Sequence, residues 1–162
     1  MSLDAMLESA RSQLEGLPRE ALGEVVIPRR ILGISRATRV EPRGTAWHLG
    51  VLLLTDDAVL STGQIIRARA EAPRGFTAES QRERAALAGA ARRGGFDEGQ
   101  TVHVGWQVLD TDAVAAGAAS GPLSLQAGVP SVRWSAAGGW VPLAAYLDER
   151  IALLAQPPLG AS

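Results

Sequence analysis

Apolar residues are densest between Thr45 and Arg69 (TAWHLGVLLLTDDAVLSTGQIIRAR), where two aliphatic runs, 51–54 and 59–66, flank the polar stretch Thr55-Asp56-Asp57-Ala58. Branched and aliphatic side chains suit a pleated surface, and Asp bonds its own backbone in tight turns, so the pattern predicts a β-hairpin. Between Leu49 and Leu54 only Gly50 interrupts the apolar character. A run of that kind predicts a strand covered on both faces and central in its sheet.

Upstream, Leu3, Leu7, Ala10, Leu14 and Leu17 recur at helical spacing, with Ser2 as a cap and Gly16 and Pro18 as stops, which predicts a helix over 2–16 docked on the core. The segment 24–35 is apolar but holds Pro28 and Arg29-Arg30, so it predicts a short strand on each side of the proline. Residues 36–44, with Pro42 and Gly44, read as a turn or irregular edge, which makes 24–69 the first strand-rich part of the chain. A second helix is predicted over 77–93, with Ser80 and Glu83 as a capping box and Gly94-Gly95 as the stop. Leu87 is its single large apolar residue, so it has no apolar stripe and is expected either to anchor weakly or to be covered by a second subunit.

Within 100–109 Val102, Val104, Trp106 and Val108 alternate with Thr101, His103, Gly105 and Gln107, the mark of a strand with one buried face and His103 on the accessible one. Small residues over 111–121 predict a flexible linker. Strands follow at 122–127 and 129–134, and a turn at 136–139 lets Trp134 and Trp140 meet across a hairpin, closing a strand-bearing part over 100–141. A last helix over 142–155 carries Leu143, Leu147, Ile151 and Leu154 on one face, with Arg150 inside the apolar sector. The expected fold is therefore α+β: a single globular domain over 1–162 with a mostly antiparallel curved sheet or small partly open barrel of about seven strands, and N-terminal, middle and C-terminal helices. Its core is expected to be one cluster containing Val51, Leu53, Ile65, Val104, Trp106, Leu147 and Ile151.

Composition narrows the chemistry. The 162 residues include no cysteine, which removes disulfides and thiolate catalysis and favours a cytoplasmic address; no run reaches the ~20 apolar residues of a membrane span. The sixteen basic residues are all arginine. Without lysine the chain cannot form a Schiff base or a P-loop phosphate clamp. Charge is segregated: residues 29–93 carry twelve arginines against six carboxylates, whereas 1–28 net −3 and 94–162 net −4. Such a basic middle is either neutralised by acidic ends folding back or free to meet an anion.

No nucleophile-elbow, zinc-protease, dinucleotide-binding or Cys/His metal motif occurs. The weak catalytic candidates are the two histidines, His48 and His103, which could share a proton or a metal with a carboxylate if a sheet brought them together; no cofactor and no metal is expected. Asp56-Asp57 is better explained as turn chemistry. Arg67 and Arg69 share a strand face, Arg74 follows in the connector, and the next helix begins nearby, so these three arginines form the candidate ligand-binding site for an oxyanion. The expected function is a non-enzymatic binding or regulatory module for an anionic small molecule or acidic protein partner; the alternative is a small hydrolase or isomerase using His103 or His48 with a carboxylate. Sparse exposed aromatics and a mildly acidic pI of about 6.1 argue against nucleic acid, and the acidic face of the first helix against a membrane partner. Homo-oligomerisation through helix 77–93 or helix 2–16 stays open.

Overall fold

The structure is a computed structural model that describes residues 1–34, 37–70 and 78–157. In chain order the elements are α1 (Leu3–Leu14), β1 (Glu20–Val26), β2 (Arg39–Leu49), β3 (Leu52–Leu54), β4 (Val59–Ser61), β5 (Gln64–Arg67), α2 (Glu79–Gly94), β6 (Thr101–Val104), β7 (Gln107–Val108), α3 (Thr111–Ala115), β8 (Leu123–Gln126), β9 (Val129–Arg133), β10 (Trp140–Pro142) and α4 (Leu143–Ala155). The chain divides into two compact units: unit 1 holds residues 1–19, 46–62 and 107–162, and unit 2 holds 20–45 and 63–106. Strand β2 runs from one into the other. The class is α+β, with strands ordered β5-β6-β1-β2 in unit 2 and β2-β3-β4-β7 in unit 1. These seven strands make a mixed series, since β1 and β6 are parallel, and no pairing among the described residues joins its end strands into a barrel.

In unit 1, α1 forms as its spacing predicts. The Ser2 hydroxyl accepts from the Ala5 N–H at 3.2 Å, and Leu3, Leu7, Ala10 and Leu14 are buried. The predicted hairpin is present as β3 and β4, and β3 lies inside its ladder with all three leucines fully buried. The polar turn is held by the Thr55 hydroxyl, which accepts from the Ala58 N–H at 2.9 Å. Two boundaries differ from the sequence reading. The chain reverses at Gly50-Val51, so Leu49 ends β2 and pairs with Leu52, and the expected single strand over 49–54 is a corner between two strands. The second hairpin strand stops at Ser61, and Ile65 and Ile66 belong to β5 in unit 2.

The remainder of unit 1 is a three-stranded sheet ordered β10-β9-β8, with α4 packed against β9. Strands β8 and β9 and helix α4 match the expectation; 111–121 does not, because Asp110 accepts from the Ala113 N–H at 2.9 Å and caps the short helix α3. Trp140 pairs with Arg133, whose guanidinium lies 6.0 Å from the indole, rather than with Trp134. Arg150 is half-buried, its guanidinium over the Tyr146 ring at 5.2 Å and its Nε buried without a hydrogen-bond partner among the described residues.

Unit 2 has its own core of Ala21, Val40, Ile66, Ala68, Ala90, Ala91, Phe96, Val102 and Val104. The expected single core is thus two: Leu147 and Ile151 belong to the leucine-rich cluster of unit 1, Val104 belongs to this one, and Ile65 is 40% exposed. Trp106 is half-buried and donates its indole N–H to the Gly23 carbonyl at 2.9 Å. The strand expected over 100–109 breaks at Gly105, whose φ of +73° ends β6 and shifts the alternation, leaving Val108 exposed and Leu109 buried. Residues 39–44, expected to be irregular, are strand β2, while after Pro28 the apolar segment forms an isolated Ile31–Ile34 bridge in place of a full strand.

The middle helix is anchored at one end. Helix α2 starts at Glu79 behind Ala78, which makes no side-chain cap, so the Ser80–Glu83 capping box does not set its start. Its buried residues are Ala88, Gly89, Ala90 and Ala91, all in the C-terminal half. There the helix comes so near β2 that a Cβ on Gly94 would overlap the Val40 carbonyl. Small residues replace the missing apolar stripe by letting backbones approach. Among the described residues no helix is long and apolar enough to cross a membrane.

Candidate functional site

Strand β5 alternates strictly. Ile66 and Ala68 enter the core of unit 2, and Ile65, Arg67 and Arg69 are exposed on the opposite parity. Arg67 and Arg69 therefore share a face as their spacing predicts. Among the described residues β5 is the terminal strand of unit 2, so one side of its backbone is not paired to a described strand. The N-terminal half of α2 runs along that side: the Arg84 guanidinium donates to the Ile65 carbonyl at 3.5 Å, and the Arg69 N–H donates to the Ala88 carbonyl at 3.1 Å.

Between strand and helix lies a cavity of about 450 Å³ lined by Ile65, Ile66, Arg67, Arg69, Gln81, Arg84, Ala85 and Ala88. Gln81, Arg84, Ala85 and Ala88 follow the i, i+3, i+4, i+7 pattern of one helix face. Three arginines thus line one concavity with an apolar floor. Among the described residues neither Arg67 nor Arg69 makes an ion pair, whereas Arg39 and Arg43 pair with Glu41 and Arg92 with Glu98. In an antiparallel ladder the N–H and C=O of one residue point the same way, so the Ile65 N–H faces the cavity side with its carbonyl. Guanidinium forks and an edge N–H in an apolar recess are the donor set that a carboxylate or phosphate needs.

Arg74 lies outside the described residues. On α2 the lining begins at Gln81, the third residue of the helix. Arg84 and Gln81 were missed as site residues, although their spacing from Ala85 and Ala88 carried the signal.

The histidines sit elsewhere. His103, expected to be accessible, is fully buried on β6, a strand paired on both sides, with its Nε2 at 3.4 Å from the Glu20 carboxylate. The alternation argument failed because it assumed that the face opposite Val102 and Val104 meets water; a carboxylate partner is what lets an imidazole stay buried there. Imidazole and carboxylate are a proton-sharing pair and also ligand types that zinc accepts. His48, in unit 1, is half-buried with its Nε2 at 2.9 Å from the Gly50 carbonyl. Asp56 and Asp57 are turn residues, Asp56 pairing with Arg19 at 2.6 Å.

The strongest carboxylate perturbation among the described residues lies on β2. The Arg39 hydrogen bond to Glu41, at 3.0 Å, holds that carboxyl below its usual range against the opposing effect of desolvation, and the Arg39 charge and Arg43 reinforce it. Comparison with protein-family models, with curated proteins and with solved structures finds no match.

Proposed function

We propose that the protein is a non-enzymatic binding or regulatory module that takes an anionic ligand, a small carboxylate or phosphate or the acidic side chain of a partner protein, in the unit 2 cavity. The observation that carries this reading is the meeting of Arg67, Arg69 and Arg84 in one 450 Å³ recess, with Arg67 and Arg69 free of ion pairs among the described residues. Closely grouped guanidinium groups repel one another, and an oxyanion offsets that repulsion while accepting charge-assisted hydrogen bonds worth about 1.5–3 kcal/mol each. An enzyme built on His103 has less support, because a fully buried imidazole offers no surface to a substrate.

Isothermal titration of the full chain with inorganic phosphate and with pyrophosphate at low salt tests the reading. The expected result is binding that weakens as salt rises and falls at least about a hundredfold in the double variant Arg67→Glu/Arg69→Glu with the melting temperature kept. If the double variant loses stability instead, the arginines are internal partners. If neither anion shifts the amide resonances of β5 and the N-terminal half of α2, the reading is wrong.

A further inference from the structure

Between the end of β1 and the start of β2 the chain carries Ile27-Pro28-Arg29-Arg30-Ile31-Leu32-Gly33-Ile34, and its aliphatic side chains face water: Ile27 is 79% exposed, Leu32 95%, Ile34 68% and Ile31 53%. Single exposed aliphatics are ordinary, but four within eight positions are not. Nor is the segment shapeless. Ile31 and Ile34 exchange both backbone hydrogen bonds, at 3.3 and 3.0 Å, around a two-residue turn in which Leu32 has φ +54° and Gly33 φ +76°. A turn with positive φ at both central residues favours Asn-Gly, and leucine is strained at its first position. The most exposed side chain of the tip therefore sits where its own backbone disfavours it, so exposure and strain are both tolerated to present Leu32 at the apex.

From this we infer that the tip Ile27–Ile34 is a docking finger that seats Ile31, Leu32 and Ile34 in the interfacial layer of an anionic lipid surface. It is a contact with a membrane surface, distinct from spanning, and it departs from the sequence expectation of no membrane partner. Three observations favour lipid over protein. The apolar side chains are carried on a tight turn, and such a point enters a fluid interface without needing a complementary pocket. They are purely aliphatic, while the energetic anchors of protein interfaces are mostly Trp, Tyr and Arg. Arg29 and Arg30 are exposed directly before the apex, where cations meet anionic headgroups as the apolar groups descend, and they belong to the unit that carries the chain's arginine excess.

The test is sedimentation of the full chain with vesicles of phosphatidylcholine alone and of equal parts phosphatidylcholine and phosphatidylglycerol, at low salt. Binding to the anionic vesicles is expected, with little to the neutral ones. Leu32→Asn suits the left-handed turn and removes the apolar apex; it should cut partitioning at least about tenfold while the melting temperature holds or rises. Arg29→Gln should cut it about fivefold. The proposal is overturned if the wild-type chain does not sediment with anionic vesicles, if Leu32→Asn binds them as the wild type does, or if light scattering shows a concentration-dependent dimer that Leu32→Asn dissolves in a chain that ignores vesicles, since the finger would then dock on a second copy.

Discussion

The core cluster of unit 1 holds ten leucines among seventeen side chains, together with Trp47 and Tyr146; that of unit 2 holds four alanines among nine and no leucine. Their charges diverge as well. Unit 1 has four arginines against nine carboxylates, net −5, and unit 2 has twelve against eight, net +4. Large aliphatic side chains gain stability by area, roughly 1.5–3 kcal/mol for each one fully buried. Alanines and glycines gain it by letting a helix lie almost on a sheet, and that holds only where the backbones meet. Along α2 they meet β2 at the Gly94 end, while the Gln81–Ala88 face lies along β5 and lines the arginine-bearing recess. The contrast links stability to function, since binding elements are drawn from the less anchored parts of a fold.

The largest effect expected from this contrast is in unit 1. Leu52 has no exposed surface and lies within the leucine core, so Leu52→Ala should cost about 2–5 kcal/mol in urea unfolding. A loss below about 1 kcal/mol would mean that the leucine core can collapse around the gap and that the two units do not differ in the way described.

In unit 2 the sensitive positions should be glycines, and two neighbours on α2 should respond with opposite sign. Gly94→Ala pushes a methyl into the Val40 carbonyl and should destabilise by about 1–3 kcal/mol, because backbone cannot step aside as a side chain can. At Gly89 the new methyl would meet only the tip of the Arg93 side chain, at 3.3 Å, so Gly89→Ala should stabilise by about 0.4–1 kcal/mol through helix propensity. Equal effects at the two sites in thermal or urea unfolding would remove close approach as the anchor of α2.

These positions also show how far the sequence could be read. Helices α1 and α4, the β3–β4 hairpin and strands β8 and β9 were legible because periodicity and turn chemistry are local. Helix α2 was legible as a helix but not in its anchoring, since close approach at Gly94 depends on Val40, far away in the chain. Likewise the break at Gly105 divides one alternating run between two units, and glycine marks such a break without announcing it. The shared face of Arg67 and Arg69 followed from strand parity, whereas Arg84 joins them only because α2 returns along β5. His103 was misread for the same reason: parity tells which face a side chain takes, not what covers it.

A smaller, graded effect should appear along α2 itself. Amides over 83–87 should exchange at least about tenfold faster than those over 90–93, because the first half of the helix is exposed and the second is part of the core. Uniform protection along the helix, unchanged on dilution, would place its stability in the helix as a whole rather than at its Gly94 end. Uniform protection that falls on dilution would instead mean that a second subunit covers the exposed half.

The smallest expected effect belongs to the paired arginines that contrast with Arg67 and Arg69. Glu41 is held below the usual carboxyl value of 4.5, first by its hydrogen bond from Arg39 and, after the opposing effect of desolvation, by the Arg39 charge and by Arg43. A carboxyl whose folded-state pKa is depressed contributes stability that is fully present above the unfolded value and is lost as pH falls through the folded one. Glu41→Gln should therefore be slightly less stable than the wild type at neutral pH, and the gap should close progressively below pH 4.5. The site lies at the solvent boundary, so added salt should shrink the gap at neutral pH. Urea midpoints of both proteins, measured from neutral pH down to about 3, check the sign. A gap that stays constant across that window would show that the Arg39–Glu41–Arg43 contacts give no net stability, and pairing would no longer distinguish these arginines from the pair lining the cavity.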